Sequence, residues 1–251
     1  MIAIGALAVV VLIVSAYIYF RGSLLEDAIR TETEQVVPPR GGAARLPAEP
    51  GENIPLPPLD QTDALVRELV SRLSSHPRVA AWLTTDQLVR NFALVVVNIA
   101  DGHTPAARLG PLVPAGKFEV VSRDGQTFID PRTFERYNGH AAAVSGIDAQ
   151  SAARLYATLK PRTDEAYNEL GAPHGDIDTT LERAIVRLLQ TPVVEGPITV
   201  EPAGALFKYS DPRLESLSPA QKQLLRMGPK NVQVIQAKLR EVARHLGIRN
   251  P

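Results

Sequence analysis

Three features of the 251-residue sequence predict a mainly α-helical α+β fold: one multi-helix globular domain with one or two small β-hairpins behind a single transmembrane helix. Apolar residues recur at helical spacing in most segments beyond Asp60. Residues placed to cap and stop helices recur with them. Two short alternating stretches flank turn-forming residues instead. The charge balance is zero, with 27 basic and 27 acidic residues, so no overall positive field draws polyanions to the chain and nucleic acid is not an expected partner. Cysteine is absent, which excludes disulfides, thiol nucleophiles and thiolate metal sites.

From Ile2 to Phe20 no side chain is charged. At 1.5 Å per residue such a helix spans roughly 28 Å, enough to cross a bilayer core. Tyr17, Tyr19 and Phe20 stand at headgroup level, and Arg21 follows. A cleavable signal peptide is the alternative, but the apolar run is long for one, no basic residue precedes it, and Ser15 and Ala16 form an imperfect cleavage site. Residues 2–20 are therefore read as a retained single-pass anchor. The flanking charges favour a cytoplasmic domain by only one or two basic residues. Residues 21–59 read as a polar then Pro-rich linker, with Pro38, Pro39, Pro47, Pro50, Pro55, Pro57 and Pro58. Its proline-rich part, from Val36, reaches about 70 Å as polyproline II and about 25 to 30 Å as a flexible coil.

Residues 60–251 are read as the globular domain. Asp60 or Thr62 caps a helix over 63–74 with a core stripe of Leu65, Leu69 and Leu73. Pro77 opens a short helix containing Trp82, and Thr84 or Thr85 caps a longer one ending at Gly102. Within it Phe92 to Val97 is apolar on every side, so it is a central helix or, given its valines, a buried strand; the capping signals favour helix. After a long loop, Phe118–Ser122 and Gln126–Ile129 flank Asp124-Gly125 as a hairpin. Helix resumes near Phe134, restarts after Asp148 and should kink or break at Pro161. Asp178 is expected to cap the helix carrying Leu181, Ile185, Leu188 and Leu189. Residues 198–201 and 206–209 offer a second hairpin, and Ser218-Pro219 and Gly228-Pro229 open two final helices.

The run KQLLRMGPKN from Lys222 to Asn231 is the most distinctive in the chain, followed by Val232, Ile235, Leu239, Val242 and Leu246. Together with Arg136-Tyr137, the AYNELG run from Ala166 to Gly171 and the DPRLESL run from Asp211 to Leu217, it resembles an uncharacterised proteobacterial family of N-terminally membrane-anchored proteins. The resemblance covers about Pro57 to Leu246 and brings no activity. It implies an anchor in the inner membrane, a proline-rich spacer and a domain facing the periplasm. The bare N-terminus, without basic residues ahead of the anchor, departs from that pattern.

Taken physically, the same stretch is either a core αα-hairpin or a DNA-reading helix-turn-helix carrying Lys230, Lys238, Arg240 and Arg244. Neutral charge and a tether favour the core hairpin, and two heptads are too few to demand a coiled coil. His174, Asp176 and Asp178 supply cation-ligating groups within five residues, but a capping role for Asp178 competes and no metal is assigned. His76, His103, His140 and His245 are read as surface or capping residues. Nucleophile elbows, phosphate loops and dinucleotide fingerprints are missing, so no cofactor is expected and an enzyme is the less favoured reading. Asp164, Glu165, Glu169 and Glu182 keep open an envelope hydrolase acting on cell-wall material. Arg136, Tyr137, Tyr156, Tyr167, Arg226 and Asn231 are the candidate binding residues, because Tyr and Arg combine buried area with directional hydrogen bonds; the competing reading is tyrosines packed at helix junctions. The leading expectation is a membrane-tethered interaction or scaffolding module with a protein partner in the cell envelope, homo-oligomerisation being possible in principle.

Overall fold

The computed structural model describes residues 49–104, 110–204, 206–249 and 251. The expected anchor at 2–20 lies outside them. Among the described residues no helix is long and apolar enough to cross a membrane.

Nine α-helices and two antiparallel hairpins make up the described residues, as an α+β fold dominated by helix. The helices are α1 (Asp63–Leu73), α2 (Pro77–Trp82), α3 (Leu88–Ala100), α4 (Asn138–Ser145), α5 (Ala149–Glu169), α6 (Ile177–Leu189), α7 (Pro212–Glu215), α8 (Pro219–Leu225) and α9 (Pro229–Leu246). Strands β1 (Val120–Arg123) and β2 (Gln126–Ile129) form the first hairpin, and β3 (Val200–Ala203) with β4 (Leu206–Tyr209) the second. Asp124 and Gly125, both at positive φ, make the first turn as their residue types require. The hairpins touch through a bridge between Phe128 and Thr199.

The all-apolar run is helix α3. Phe92, Ala93, Val95, Val96 and Ile99 are fully buried, because α5 and α6 pack on it from different sides. Helix α9 lies across α4, α5 and α6 and presents Val232, Ile235, Leu239, Val242 and Leu246 to the same core. In α1 the buried stripe is Val66, Leu69 and Val70, with Leu65 and Leu73 half-buried at its flanks.

Several helix ends are finished by residues from elsewhere in the chain, and here the sequence-based expectations need correction. Thr84 and Thr85 do not cap α3; their hydroxyls donate to the carbonyls of Ala81 and Trp82. Instead the Asp63 carboxylate reaches over from α1 and accepts the Gln87 and Leu88 amides at 2.7 and 2.8 Å. Thr62 stands at the N-cap of α1 but turns its hydroxyl onto the Leu59 carbonyl. At the far end of α6 the Gln236 amide of α9 donates to the carbonyls of Leu188, Leu189 and Thr191 at 2.8 to 3.2 Å. These orphan helix-end groups would otherwise be buried unpaired. The cap of α6 is Asp176, whose carboxylate accepts the Thr179 amide, and not Asp178.

Helix α5 runs without a break through Pro161. Proline has no N–H, so the Ala157 carbonyl loses its intrahelical donor. Burial of Leu155, Leu159, Ala166 and Tyr167 along one face outweighs that loss. The last residues of the expected linker lie against this helix. Gly51 sits so close that a Cβ would stand 2.6 Å from the Thr158 nitrogen and 2.7 Å from the Ala157 carbonyl carbon. The Glu52 amide donates to the Thr158 hydroxyl at 2.8 Å, and Arg162 donates to the Leu56 carbonyl at 3.1 Å. Glu49 meets His245 at 3.1 Å, with Gln150 and Arg154 nearby; the His245 and Gln150 hydrogen bonds hold its carboxyl below the usual range. Ile54 and Leu56 pack on the core. Residues 49–59 thus form a strap laid on the helical body. Gly51→Ala forces the strap off the backbone of α5. Limited proteolysis should then cleave within 49–59 at least about tenfold faster than in the parent chain, a gap of only about 1.4 kcal/mol in local opening.

Candidate functional site

The six candidate residues fall into two groups. Tyr156 and Tyr167 belong to the seam between α5 and α6 and are each 1% exposed. The Tyr156 hydroxyl donates to Asp178 at 2.5 Å, and Lys160 lies 3.5 Å from the same carboxylate. Burial pushes the Asp178 carboxyl up, against the opposing pull of Tyr156 and Lys160. The Tyr167 hydroxyl pairs with that of Thr180 at 2.8 Å and accepts the His174 amide at 2.9 Å. Both tyrosines are packing residues that tie the 170–176 turn to the core, and neither offers a surface to a ligand.

Arg136, Tyr137, Arg226 and Asn231 gather where the hairpins meet the helical body. The distinctive LLRMGPKN run explains the meeting. After α8 the chain turns at Gly228, with φ 82°, and Phe134 of the 3-10 turn Pro131–Tyr137 fills the space a side chain would take. Asn231, 4% exposed, donates to the Phe134 carbonyl at 3.1 Å and the Met227 carbonyl at 2.8 Å. Asn231 is therefore a clamp and not a contact residue. The Arg136 guanidinium lies 5.1 Å above the Tyr137 ring and donates to the Thr133 carbonyl. Burial raises the Tyr137 hydroxyl's pKa, while Arg136, the neighbouring Gln223 amide and Arg226 act the other way.

Beyond Arg226 a shallow cleft of about 10 Å3 opens to solvent between the hairpins. Phe118, Ile129, Val200, Phe207, Lys208, Tyr209 and Arg226 line it. The Phe118 and Phe207 rings face one another at 5.8 Å. Tyr209 is 4% exposed, and its hydroxyl has no hydrogen-bond partner of normal geometry among the described residues. Burial pushes that hydroxyl up to about 12, with the Arg226 charge opposing. Glu215 accepts the Tyr209 amide at 2.9 Å and pairs with Lys222 at 2.5 Å, so the nearest carboxylate is committed to the scaffold. Lys208 at the mouth pairs across the strands with Glu201 at 3.2 Å.

Sequence reasoning did not find Phe118, Phe207, Tyr209 or Gln223, because the cleft joins segments about ninety residues apart. The one available signal was alternation in β4, which turns Phe207 and Tyr209 inward. With room for about one water molecule, the cleft falls far short of the roughly 300 to 1,000 Å3 of small-molecule and cofactor sites.

The other expected ligands are engaged elsewhere. His174 meets Asp101 at 2.6 Å, Asp176 caps α6 and Asp178 binds Tyr156, so these three residues do not converge. Among the described residues no group of three or more His, Asp or Glu side chains is placed to hold a metal ion. Asp164 pairs with Lys160, Glu165 with Arg162 and Glu169 with Arg90. His76 caps α2 as expected of it, whereas His140, read from the sequence as a surface or capping residue, is fully buried with Nε2 2.7 Å from the Leu112 carbonyl. The sequence offered no signal for that burial, because the covering residue lies 28 positions away.

The molecule is thus a helix-dominated α+β domain whose two hairpins enclose a small aromatic and cationic cleft. It belongs to the family described as Protein of unknown function (DUF3014), whose model matches residues 88–243. No curated protein and no solved structure matches the chain.

Proposed function

We propose that this protein is a membrane-tethered interaction module of the bacterial cell envelope, anchored in the inner membrane through residues 2–20, whose periplasmic domain docks a partner protein at the cleft between the hairpins. One observation carries the reading: a cleft too small for a cofactor, walled by Phe118 and Phe207, with a buried hydroxyl and a cation within it. Aromatic and arginine side chains at a partly dry depression are the composition of an interaction hot spot. The nineteen-residue apolar run supports the anchor and the proline-rich spacer supports reach. The envelope-hydrolase alternative has less support, since Asp164, Glu165 and Glu169 each face a cation and lie outside the cleft.

The test is photocrosslinking in the native membrane with a benzophenone side chain at position 206, where Leu206 is 42% exposed beside the cleft. A discrete adduct that disappears on Phe207→Ala is the expected result. An adduct at twice the chain's own mass identifies the partner as a second copy. A chain that fractionates as soluble, or an adduct indifferent to Phe207→Ala, overturns the reading.

A further inference from the structure

We infer that the exposed basic side of α9, formed by Arg240 and Arg244 and continued by Arg249, docks on anionic lipid headgroups of the membrane holding the proposed anchor. The inference deepens the proposed tethered function and rests on it. Two independent observations meet at this end of the helix. The first is charge. Arg240, Arg244 and Arg249 are exposed, and none forms an ion pair among the described residues. Arg244 donates within its own helix, to the Arg240 carbonyl at 3.4 Å. The neighbouring carboxylates are engaged: Glu241 pairs with Lys238 at 2.5 Å, and Glu49 with His245 at 3.1 Å and Arg154 at 3.7 Å. Asp148, which feels the His245 and Lys238 charges, accepts the Ser151 amide as a helix cap. The helix dipole explains little of this arrangement, because its effect falls off within the last turn. Arg244 stands in that turn, whereas Arg240 precedes it and Arg249 lies beyond the helix end at Leu246.

The second observation is where the tether joins the body. Glu49, the first described residue of the strap, meets His245 of α9, so the chain leads back toward residues 2–20 from beside Arg244. Gly51 and Glu52, seated against α5, fix that point. Residues 21–48 separate it from the apolar run, and a flexible coil of that length spans about 29 Å. The basic side of α9 is thus kept within reach of the bilayer. The same helix begins at the Gly228 corner that meets the hairpins, and its 18 residues make it roughly 27 Å long. Docking its C-terminal end on lipid therefore leaves the hairpins free for a partner. An acidic protein segment is the rival occupant. Residues 21–48 carry four acids and four arginines, so they bring no net charge to the face, whereas a leaflet of anionic lipid presents many.

The experiment uses the full chain in lipid nanodiscs. Because the chain has no cysteine, Ala237→Cys, exposed on the same side of α9, takes a single fluorescent donor, with the acceptor carried on lipid headgroups. Energy transfer should be at least about twofold higher in discs with roughly one-third phosphatidylglycerol than in pure phosphatidylcholine, since each basic residue near an anionic surface favours docking about fivefold. About 0.5 M sodium chloride should bring the two values together by screening. Arg240→Gln, Arg244→Gln and Arg249→Gln combined should do the same at low salt, with melting curves matching the parent's because all three are exposed. Transfer that rises with phosphatidylglycerol despite the triple substitution overturns the inference. Transfer that falls with salt but ignores lipid charge assigns the face to a protein segment and equally overturns it. Equal transfer in both lipids and at both salt concentrations, from a chain incorporated in both discs, overturns the inference while the anchor stands; a chain that enters neither disc overturns both.

Discussion

Gly228→Ala is expected to destabilise the domain by roughly 3 to 5 kcal/mol, combining a positive-φ penalty with overpacking of a tight contact. At φ 82° an L side chain is strained whatever space surrounds it. Here there is none: the added Cβ would stand 2.4 Å from Phe134 Cγ and 2.7 Å from Phe134 Cβ. Phe134 cannot swing away freely, because its carbonyl is held by Asn231 and its ring packs in the hairpin cluster. The corner between α8 and α9 therefore opens, and with it the wall carrying Arg226. Thermal unfolding should show a midpoint lowered by about 6 to 20 °C, taking about 2 to 4 °C per kcal/mol for a chain of this size. A second substitution, Phe134→Ala in the Gly228→Ala background, should recover part of the loss by removing the ring contacts, while the contact with the Cβ of residue 134 remains. A midpoint within about 2 °C of the parent, on the same scale, would show that the corner is not tight.

Stability should fall as pH drops from 6.5 to 4, and His140 should account for about 3 kcal/mol of it, since each pKa unit is worth about 1.4 kcal/mol. Burial lowers the His140 pKa from the ordinary 6.5 to about 4. The folded domain therefore keeps the imidazole neutral at a pH where the unfolded chain protonates it. A depressed folded value means that the full contribution is present above 6.5 and is lost progressively as pH falls through the window to about 4. The Nε2 bond to the Leu112 carbonyl anchors the neutral ring beneath the 3-10 turn at 110–112. Urea unfolding at pH 7.5, 5.5 and 4.5 measures the slope. In His140→Gln the domain should be less stable at neutral pH but lose much less between 7.5 and 4.5. An unchanged slope in that variant would assign the acid sensitivity to other groups. The capping carboxylates Asp148 and Asp176 belong to a lower window, because their hydrogen bonds hold both below 3.8.

Which parts of the molecule were legible beforehand follows from the range of each interaction. The tight turn at Asp124-Gly125, the restart after Asp148 and the helix start at Ser218-Pro219 depend on residues within four positions of each other. The buried helix α3 was legible from its continuous apolar surface. The N-terminal cap of α3 and the partner of the last carbonyls of α6 were not, since Asp63 and Gln236 act across 24 residues or more. Pro161 misled for a related reason: its local cost is real, but packing along α5 exceeds it. Of the candidate binding residues, Arg226 lines the cleft and Arg136 and Tyr137 stand behind it. Asn231, Tyr156 and Tyr167 hold the scaffold together.

By itself the sequence determined the helical class of the domain, the positions of its turns and the apolar run at its N-terminus, because backbone geometry and side-chain periodicity are written in adjacent residues. Only the tertiary structure decided that residues 49–59 are strapped to α5, that Gly228 exists to admit Phe134, and that Tyr209 and Arg226 share a cleft. Those are contacts between segments far apart in the chain, and their energies arise from shape and desolvation that no local pattern encodes.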